Sequence, residues 1–383
     1  MITDLRSKLD RLASEKPKAQ AKVKHDISSA LGAELVEVAN GGYILRRVRY
    51  AYGAIYGEYT VENIEKAFDL EEKLLFLDTE TTGLGSVACP FLIGLAYFTN
   101  EHLVLEQYFM RDVDDESAVL DDIVSKFSGM TVVSYNGKSF DVPLIKARCT
   151  INAINYGKFA QKQTDLLHLS RRIWKKRLEN CKLTTIEEEI LCLTREDDIP
   201  GSVIPEMYKR YLDTGRSDEM QQVIEHNESD VVSMSVLLGK LIRIEEDPCG
   251  QLDNIADVMH LGEYYYGKGD CQRANTCFAR VLRASKNPLE QYNAMKYLSF
   301  IHKKNRNYPD AVLLWQRMDR LSLGAVLPLV ELAKYYEHTE KNIPKAMECS
   351  RRGLANARAS GSKDMIKELE IRIQRLDKKM RKV

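Results

Sequence analysis

The chain has 383 residues, 44% of them hydrophobic, which is enough for two to three domains with buried cores. Lys plus Arg and Asp plus Glu both number 56, so whole-chain charge lends no support to nucleic-acid binding and any basic surface must be local. The eight cysteines are scattered with no CxxC pair, which argues against a zinc ribbon or a disulfide framework and fits a reducing compartment. Residues 1–24 are charged and hold no apolar h-region, and no segment is long enough to span a membrane. The expectation is a cytoplasmic protein without a membrane partner.

Residues 1–70 read as a charged N-terminal segment, a helix or a frayed tail, followed by a small β element. Gly41-Gly42 is a turn signal, and Tyr43 to Arg49 is β-branched and aromatic, which predicts a hairpin. Tyr43, Tyr50, Tyr52, Tyr56 and Tyr59 interleave with Arg46, Arg47 and Arg49. Aromatics beside arginines can stack bases and hold phosphates. The same pattern also suits a half-exposed sheet with packed tyrosines and solvated arginines.

Residues 71–245 read as an α/β domain with a mixed sheet and flanking helices. Predicted strands are 73–78, 91–98, 103–109 and 131–134, the second and third forming a meander. Predicted helices are 116–127, 142–149, 166–175, 183–192, 205–213 and 218–242.

Asp78 and Glu80 end the first of these strands in the run FLDTETTGL. Residues i and i+2 of an extended chain point to the same face, so two carboxylates stand side by side. Carboxylates that close repel unless a cation lies between them, and Mg²⁺ or Mn²⁺ is the simplest hard cation for oxygen ligands. Asp141, in SYNGKSFD, stands at a helix start, where an aspartate is also a favoured cap. Asp230, in HNESD, lies at the edge of the apolar face of a long helix, with His226 one turn earlier.

Glu245 to Gly250 reads as a linker, and residues 251–383 read as all-helical repeats. Ala274, Ala311 and Ala346 recur at spacings of 37 and 35 residues. Small residues at Gly262, Ala274 and Ala311 let paired helices approach, and Tyr265, Phe278 and Trp315 fill the space between pairs. The pattern resembles the tetratricopeptide repeat, in which three repeats share a core, and Ser362 to Val383 reads as a capping helix. A generic helical bundle is the alternative.

Asp78, Glu80, Asp141 and Asp230, in this order and in these three motifs, resemble the DEDD group of 3′–5′ exonucleases within the ribonuclease H-like superfamily. Together with the C-terminal repeats, the chain resembles the bacterial YprB-type ribonuclease H-like family. The resemblance implies a nuclease acting on single-stranded RNA or DNA with two Mg²⁺ or Mn²⁺ ions roughly 3.5–4 Å apart. Asp78 would bridge both ions, Glu80 and Asp230 would hold the one that carries the nucleophile, and Asp141 would help hold the second. Thr79, Thr82, Gly83 and Leu84 would pack against the terminal nucleotide, and Asn136 would position the strand. His226 departs from the group's pattern. The group carries tyrosine four residues before the last aspartate or histidine five before it; here histidine takes the four-residue spacing and Glu225 the other. On a helix this turns the ring by about 100°. His226 is a candidate base, the alternative being a hydrogen bond that only orients Asp230.

Asp165 reads as a cap for the next helix. That helix runs into Arg171-Arg172-Ile173-Trp174-Lys175-Lys176-Arg177, where Arg171, Arg172 and Lys175 are candidate phosphate contacts or a solvated charged face. Two other functions compete with the exonuclease: a scaffold whose repeats bind a protein partner, and a structure-selective endonuclease.

Overall fold

The apolar runs around 74–77, 90–98 and 103–109 become central strands of a mixed sheet in the computed structural model, which describes residues 26–39, 41–51, 72–83, 85, 88–196, 198–321 and 324–381. The described residues divide into two units, one within 1–168 and 182–240 and the other within 169–181 and 241–383.

In the first unit, β1 (Glu34–Val38), β2 (Gly41–Ala51), β3 (Leu74–Thr81), β4 (Pro90–Phe98), β5 (His102–Phe109), β6 (Thr131–Ser134) and β7 (Gln163–Asp165) form one sheet. Its spatial order is β1-β2-β5-β4-β3-β6-β7. Pairings from β1 to β3 are antiparallel, whereas β3, β6 and β7 run parallel. The expected Gly41-Gly42 hairpin forms. β2 continues along β5 from Ile44↔Phe109 to Ala51↔His102, so the hairpin joins the sheet instead of standing in a separate 1–70 element.

β2 also decides between the two readings of its arginines. Arg46 bonds Gln107 at 2.7 Å, and Arg47 bonds Glu106 at 3.0 Å and Glu34 at 2.6 Å. The Tyr43 ring is buried, and its hydroxyl donates to Asp122 at 2.9 Å. These partners make the stretch a structural part of the sheet, paired between β1 and β5. Tyr52, Tyr56 and Tyr59 lie outside the described residues.

Helices Glu116–Lys126, Asp141–Ile151, Ile204–Thr214 and Asp218–Glu246 match the predicted ones within a few residues. The 183–192 helix does not run through. It is helical at Leu183–Ile186, then widens into a π-turn at Glu187–Leu191 and stops at Cys192, whose backbone is left-handed (φ 53°). Leu193 N–H closes the widened turn on the Glu187 carbonyl at 2.9 Å. The core packs Phe91 face to face on Tyr208 at 3.8 Å, with Phe109 edge-on to both and Tyr211 edge-on to Phe109. This clamps the Ile204–Thr214 helix against the sheet.

In the second unit, three successive helix pairs appear: Ile255–Lys268 with Cys271–Ala284, Pro288–Lys304 with Tyr308–Arg320, and Leu327–His338 with Ile343–Ala359. The helical region fits repeats. Ala274, Ala311 and Ala346 are fully buried. A Cβ on Gly262 would lie 2.8 Å from the Phe278 ring, which explains the small residue there. Phe278 stacks on Tyr297 at 4.8 Å, bridging the first and second pairs. The helix Lys363–Met380 covers the last pair, burying Leu369 and Leu376. The expected linker at 245–250 is a one-residue break. Asp247 ends the long helix, and its carboxylate accepts from the N–H groups of Cys249 (3.1 Å) and Gly250 (2.9 Å), starting the short helix Pro248–Gln251. No helix among the described residues is long and apolar enough to cross a membrane.

Candidate active site

The apolar half of β3 is wholly buried, and the strand then emerges half-buried at Asp78. Asp78 sits opposite Gly94 of β4, and the ladder is irregular at Glu80/Thr81, directly after the two acids. β6 runs parallel to β3 and ends at Ser134, and the loop that follows delivers Asp141. The acids of the first two motifs therefore gather toward the carboxyl ends of the parallel strands β3 and β6, the usual ligand edge of such a sheet.

Asp141 is the first residue of its helix rather than the cap, which is Phe140. Its carboxylate accepts from the Thr79 hydroxyl at 2.5 Å, tying the second motif to the first. The approach needs Gly137, since a Cβ there would lie 2.7 Å from an Asp141 oxygen and 2.6 Å from Ser134. Asn136 takes a left-handed backbone (φ 67°), and its N–H donates to Asp165 at 2.9 Å. Asp165 also accepts from Leu167 N–H at 3.0 Å, the expected capping contact.

The long helix contributes three side chains. Asn227 Nδ2 donates to Asp78 at 2.8 Å, and its carbonyl oxygen accepts from Gln107 at 2.9 Å. Asn227 is fully buried and lies over Gly94, where a Cβ would come within 2.2 Å of its oxygen. His226 presents Nε2 to Glu80 at 4.0 Å and to Asp230 at 3.8 Å. Its Nδ1 bonds Asp198 at 2.7 Å. The histidine therefore gives its hydrogen bond to Asp198, not to Asp230. Asp230 instead contacts the guanidinium of Arg195, which also meets Glu187 at 2.6 Å and Asp198 at 3.2 Å.

Electrostatics mark the cluster. Burial, then the charges of Asp230, Glu80 and Asp141, push the Asp78 carboxyl far above its ordinary range, against the Asn227 hydrogen bond. Glu80 is raised to about 7 by burial and by Asp230 and Asp141, with His226 opposing. Asp141 is raised to about 6, chiefly by burial, against the Thr79 hydrogen bond. Burial disfavours the charged His226 ring, but Asp230, Asp198 and Glu80 outweigh it and raise its pKa. Four acids that act on one another this strongly form a hard-oxygen donor set suited to a divalent ion. Among the described residues, no three His, Cys, Asp or Glu side chains are closed into a ready metal cage. Asn227, Thr79 and Arg195 engage an oxygen of Asp78, Asp141 and Asp230, respectively.

A cavity of about 610 Å³ lies beside the cluster, lined by Thr79, Thr81, Gly83, Asp141, Pro143 and Leu144 together with Phe140, whose ring is 59% exposed. Thr79 and Gly83, two of the expected nucleotide contacts, line this cavity. Thr82 is turned to structure, pairing with Cys89 through backbone and hydroxyl at 3.0 Å. Leu84 lies outside the described residues. Arg171, Arg172 and Lys175 belong to the second unit. There Arg172 lies over the Tyr264 ring at 5.0 Å, Arg177 pairs with Asp257 at 2.9 Å, and Trp174 is buried.

Residues 75–242 match the family model described as RNase_H superfamily. This stretch is a ribonuclease H-like domain. The chain is also 28% identical over 358 residues to "Uncharacterized protein YprB" of Bacillus subtilis (strain 168), covering 88% of this chain and 86% of that protein. Among solved structures it is similar to the family B DNA polymerase of Pyrobaculum calidifontis, at 13% identity and a TM-score of 0.35 over 69% of this chain. The match spans about a third (34%) of the polymerase's length. The ribonuclease H-like domain contains all four acids and His226, and it also contains Asn227, Arg195 and Asp198, which sequence reasoning missed. For Asn227 a signal existed: an amide four residues from both Val223 and Val231, on the apolar face of the long helix.

Proposed function

We propose that the ribonuclease H-like domain hydrolyses phosphodiester bonds of single-stranded RNA or DNA from the 3′ end, using Mg²⁺ or Mn²⁺. The observation that carries this reading is Asp78, a half-buried acid hydrogen-bonded to buried Asn227 and neighboured by three more acids. A buried carboxylate facing other carboxylates is unfavourable unless a cation or a proton joins them. Asp78, Glu80 and Asp230 would hold one ion, and Asp78 and Asp141 a second. Bound there, the ions supply positive charge against the phosphate and lower the pKa of a water.

The protein's own groups do the rest. His226 is fixed through Nδ1 by Asp198, so Nε2 is directed toward Glu80 and Asp230. Asp230, Asp198 and Glu80 hold the proton on its ring. Neutralising Asp230 and Glu80 removes two of those three influences, which frees Nε2 to take a proton from water. The cavity beside Thr79 and Phe140 suits a terminal nucleotide, with the exposed ring available to stack a base. The 3′ polarity rests on the resemblance of the three motifs.

The test is incubation of the protein with 5′-labelled single-stranded RNA and DNA oligonucleotides in Mg²⁺ and then Mn²⁺, beside Asp78→Ala and Asp230→Ala. The expected result is a ladder shortening from the 3′ end, absent in both variants. Full activity in both would remove these acids from the mechanism. No cleavage by the wild type would leave a scaffold built on the helical repeats, and products from a circular substrate would make the enzyme an endonuclease.

A further inference from the structure

We infer that Arg195 is a resident counter-cation of the acid cluster, which a divalent ion must displace from Asp230. The inference rests on the metal-site reading above. It starts from a contact that serves no catalytic geometry: one Asp230 oxygen meets the Arg195 guanidinium, and the other lies 3.8 Å from His226. One oxygen of a proposed metal ligand therefore faces a permanent cation of the chain itself, and the other faces an imidazole.

Arg195 is built into this place. Its side chain is 12% exposed and arrives on the segment after the π-turn. That turn sets Glu187, only 2% exposed, at 2.6 Å from the guanidinium. Asp198 meets the other guanidinium nitrogen at 3.2 Å while also holding His226. A buried guanidinium is costly without carboxylate partners, and here it has two besides Asp230. When Asp230 turns to a metal, Glu187 and Asp198 keep Arg195 paired. The contact can therefore open without stranding a buried charge.

Two effects follow from this arrangement. Without metal, Arg195 offsets part of the repulsion around Asp78, Glu80 and Asp230 and lets the folded site exist. With metal, the same fixed charge repels the incoming ion. Removing it should tighten metal binding and weaken the metal-free fold. A residue that merely braced Asp230 for coordination would do the opposite to metal affinity.

The experiment is calorimetric titration of MnCl₂ into full-length wild type, Arg195→Gln, Arg195→Lys and Asp78→Ala at pH 8, with melting temperatures measured with and without Mn²⁺. Arg195→Gln should bind Mn²⁺ about tenfold tighter than wild type, as expected for loss of a neighbouring unit charge. It should also melt lower without metal and gain more from Mn²⁺. Arg195→Lys, which keeps the charge, should stay near wild type. If Arg195→Gln folds only when Mn²⁺ is present, the same preference is seen in a stronger form. Equal or weaker Mn²⁺ binding by Arg195→Gln, or failure to fold at saturating Mn²⁺, overturns the inference while wild-type binding preserves the metal-site reading. Absence of Mn²⁺ binding in both wild type and Arg195→Gln overturns both.

Discussion

Two buried carboxylate sites in this molecule are built on opposite rules. In the helical unit, Glu337 is fully buried, and its oxygens accept from Arg372 at 2.9 Å, Arg375 at 2.6 and 2.8 Å and Lys379 at 2.8 Å, with His338 at 3.4 Å. Burial works against its charge, but the hydrogen bonds from Arg375 and Lys379 prevail and lower its pKa to about 2. In the sheet unit, Asp78, Glu80 and Asp141 face other acids and are pushed the other way. An acid surrounded by cations is a structural device that ties Lys363–Met380 to Leu327–His338. Acids surrounded by acids form a site waiting for something positive. The difference separates a site that holds shape from the site proposed to do chemistry.

The sharpest way to break the contrast is His226→Ala. If its imidazole takes the proton from water, activity should fall roughly 10²–10⁴-fold, with a melting temperature close to wild type. A loss much below tenfold in a steady-state cleavage assay would return the ring to a structural role. Glu337→Ala should do the reverse. It leaves three cationic side chains clustered without their acid and should cost about 3–5 kcal/mol in urea unfolding, while the Mn²⁺ response stays as in wild type.

The same contrast predicts opposite pH dependences. Glu337 has a depressed folded pKa, so its stabilisation is present above its unfolded value and is lost as pH falls toward about 2. Glu80 and Asp141 have raised folded values of about 7 and 6. Their contribution is intact below the unfolded values near 4 and is lost as pH rises through 6 and 7. Chelator-treated protein should therefore melt at progressively lower temperature from pH 4 to pH 7.5, and Mn²⁺ should remove that slope. A slope that persists with Mn²⁺ would mean the raised acids are not the groups the ion neutralises.

Much of this was open to sequence reasoning, for a physical reason. Asp78 and Glu80 are two residues apart on one strand, and Asp141 follows a strand and a turn, so spacing alone orients them. The repeat alanines are legible because packing repeats with the period of the helix pairs. What escaped depends on contacts between distant positions. Asn227 reaches Asp78 across 149 residues, and Arg195 reaches Asp230 across 35. No local pattern marks Arg195 or Asp198, because their loop has no periodicity to read. Gly94 looked like any strand glycine until the side chain that fills its missing Cβ was known. The 183–192 segment departs from its helical spacing in the same way: Glu187, inside the π-turn, pairs with Arg195, a contact that no local period encodes.

The finest test compares two glycines, one in each unit. A Cβ at Gly94 would come within 2.2 Å of Asn227, and one at Gly262 within 2.8 Å of Phe278. Both alanine variants overpack a filled interior, so each should cost about 1–3 kcal/mol in chemical unfolding. Their effects on function should part. Asn227 cannot keep its bond to Asp78 once it is pushed off Gly94, because its carbonyl is also held by Gln107 at 2.9 Å. Gly94→Ala should therefore lower cleavage and Mn²⁺ affinity without touching an acid, and Gly262→Ala should leave both unchanged. Equal activity in the two variants would show that Asn227 only fills space and that Asp78 needs no partner from the long helix.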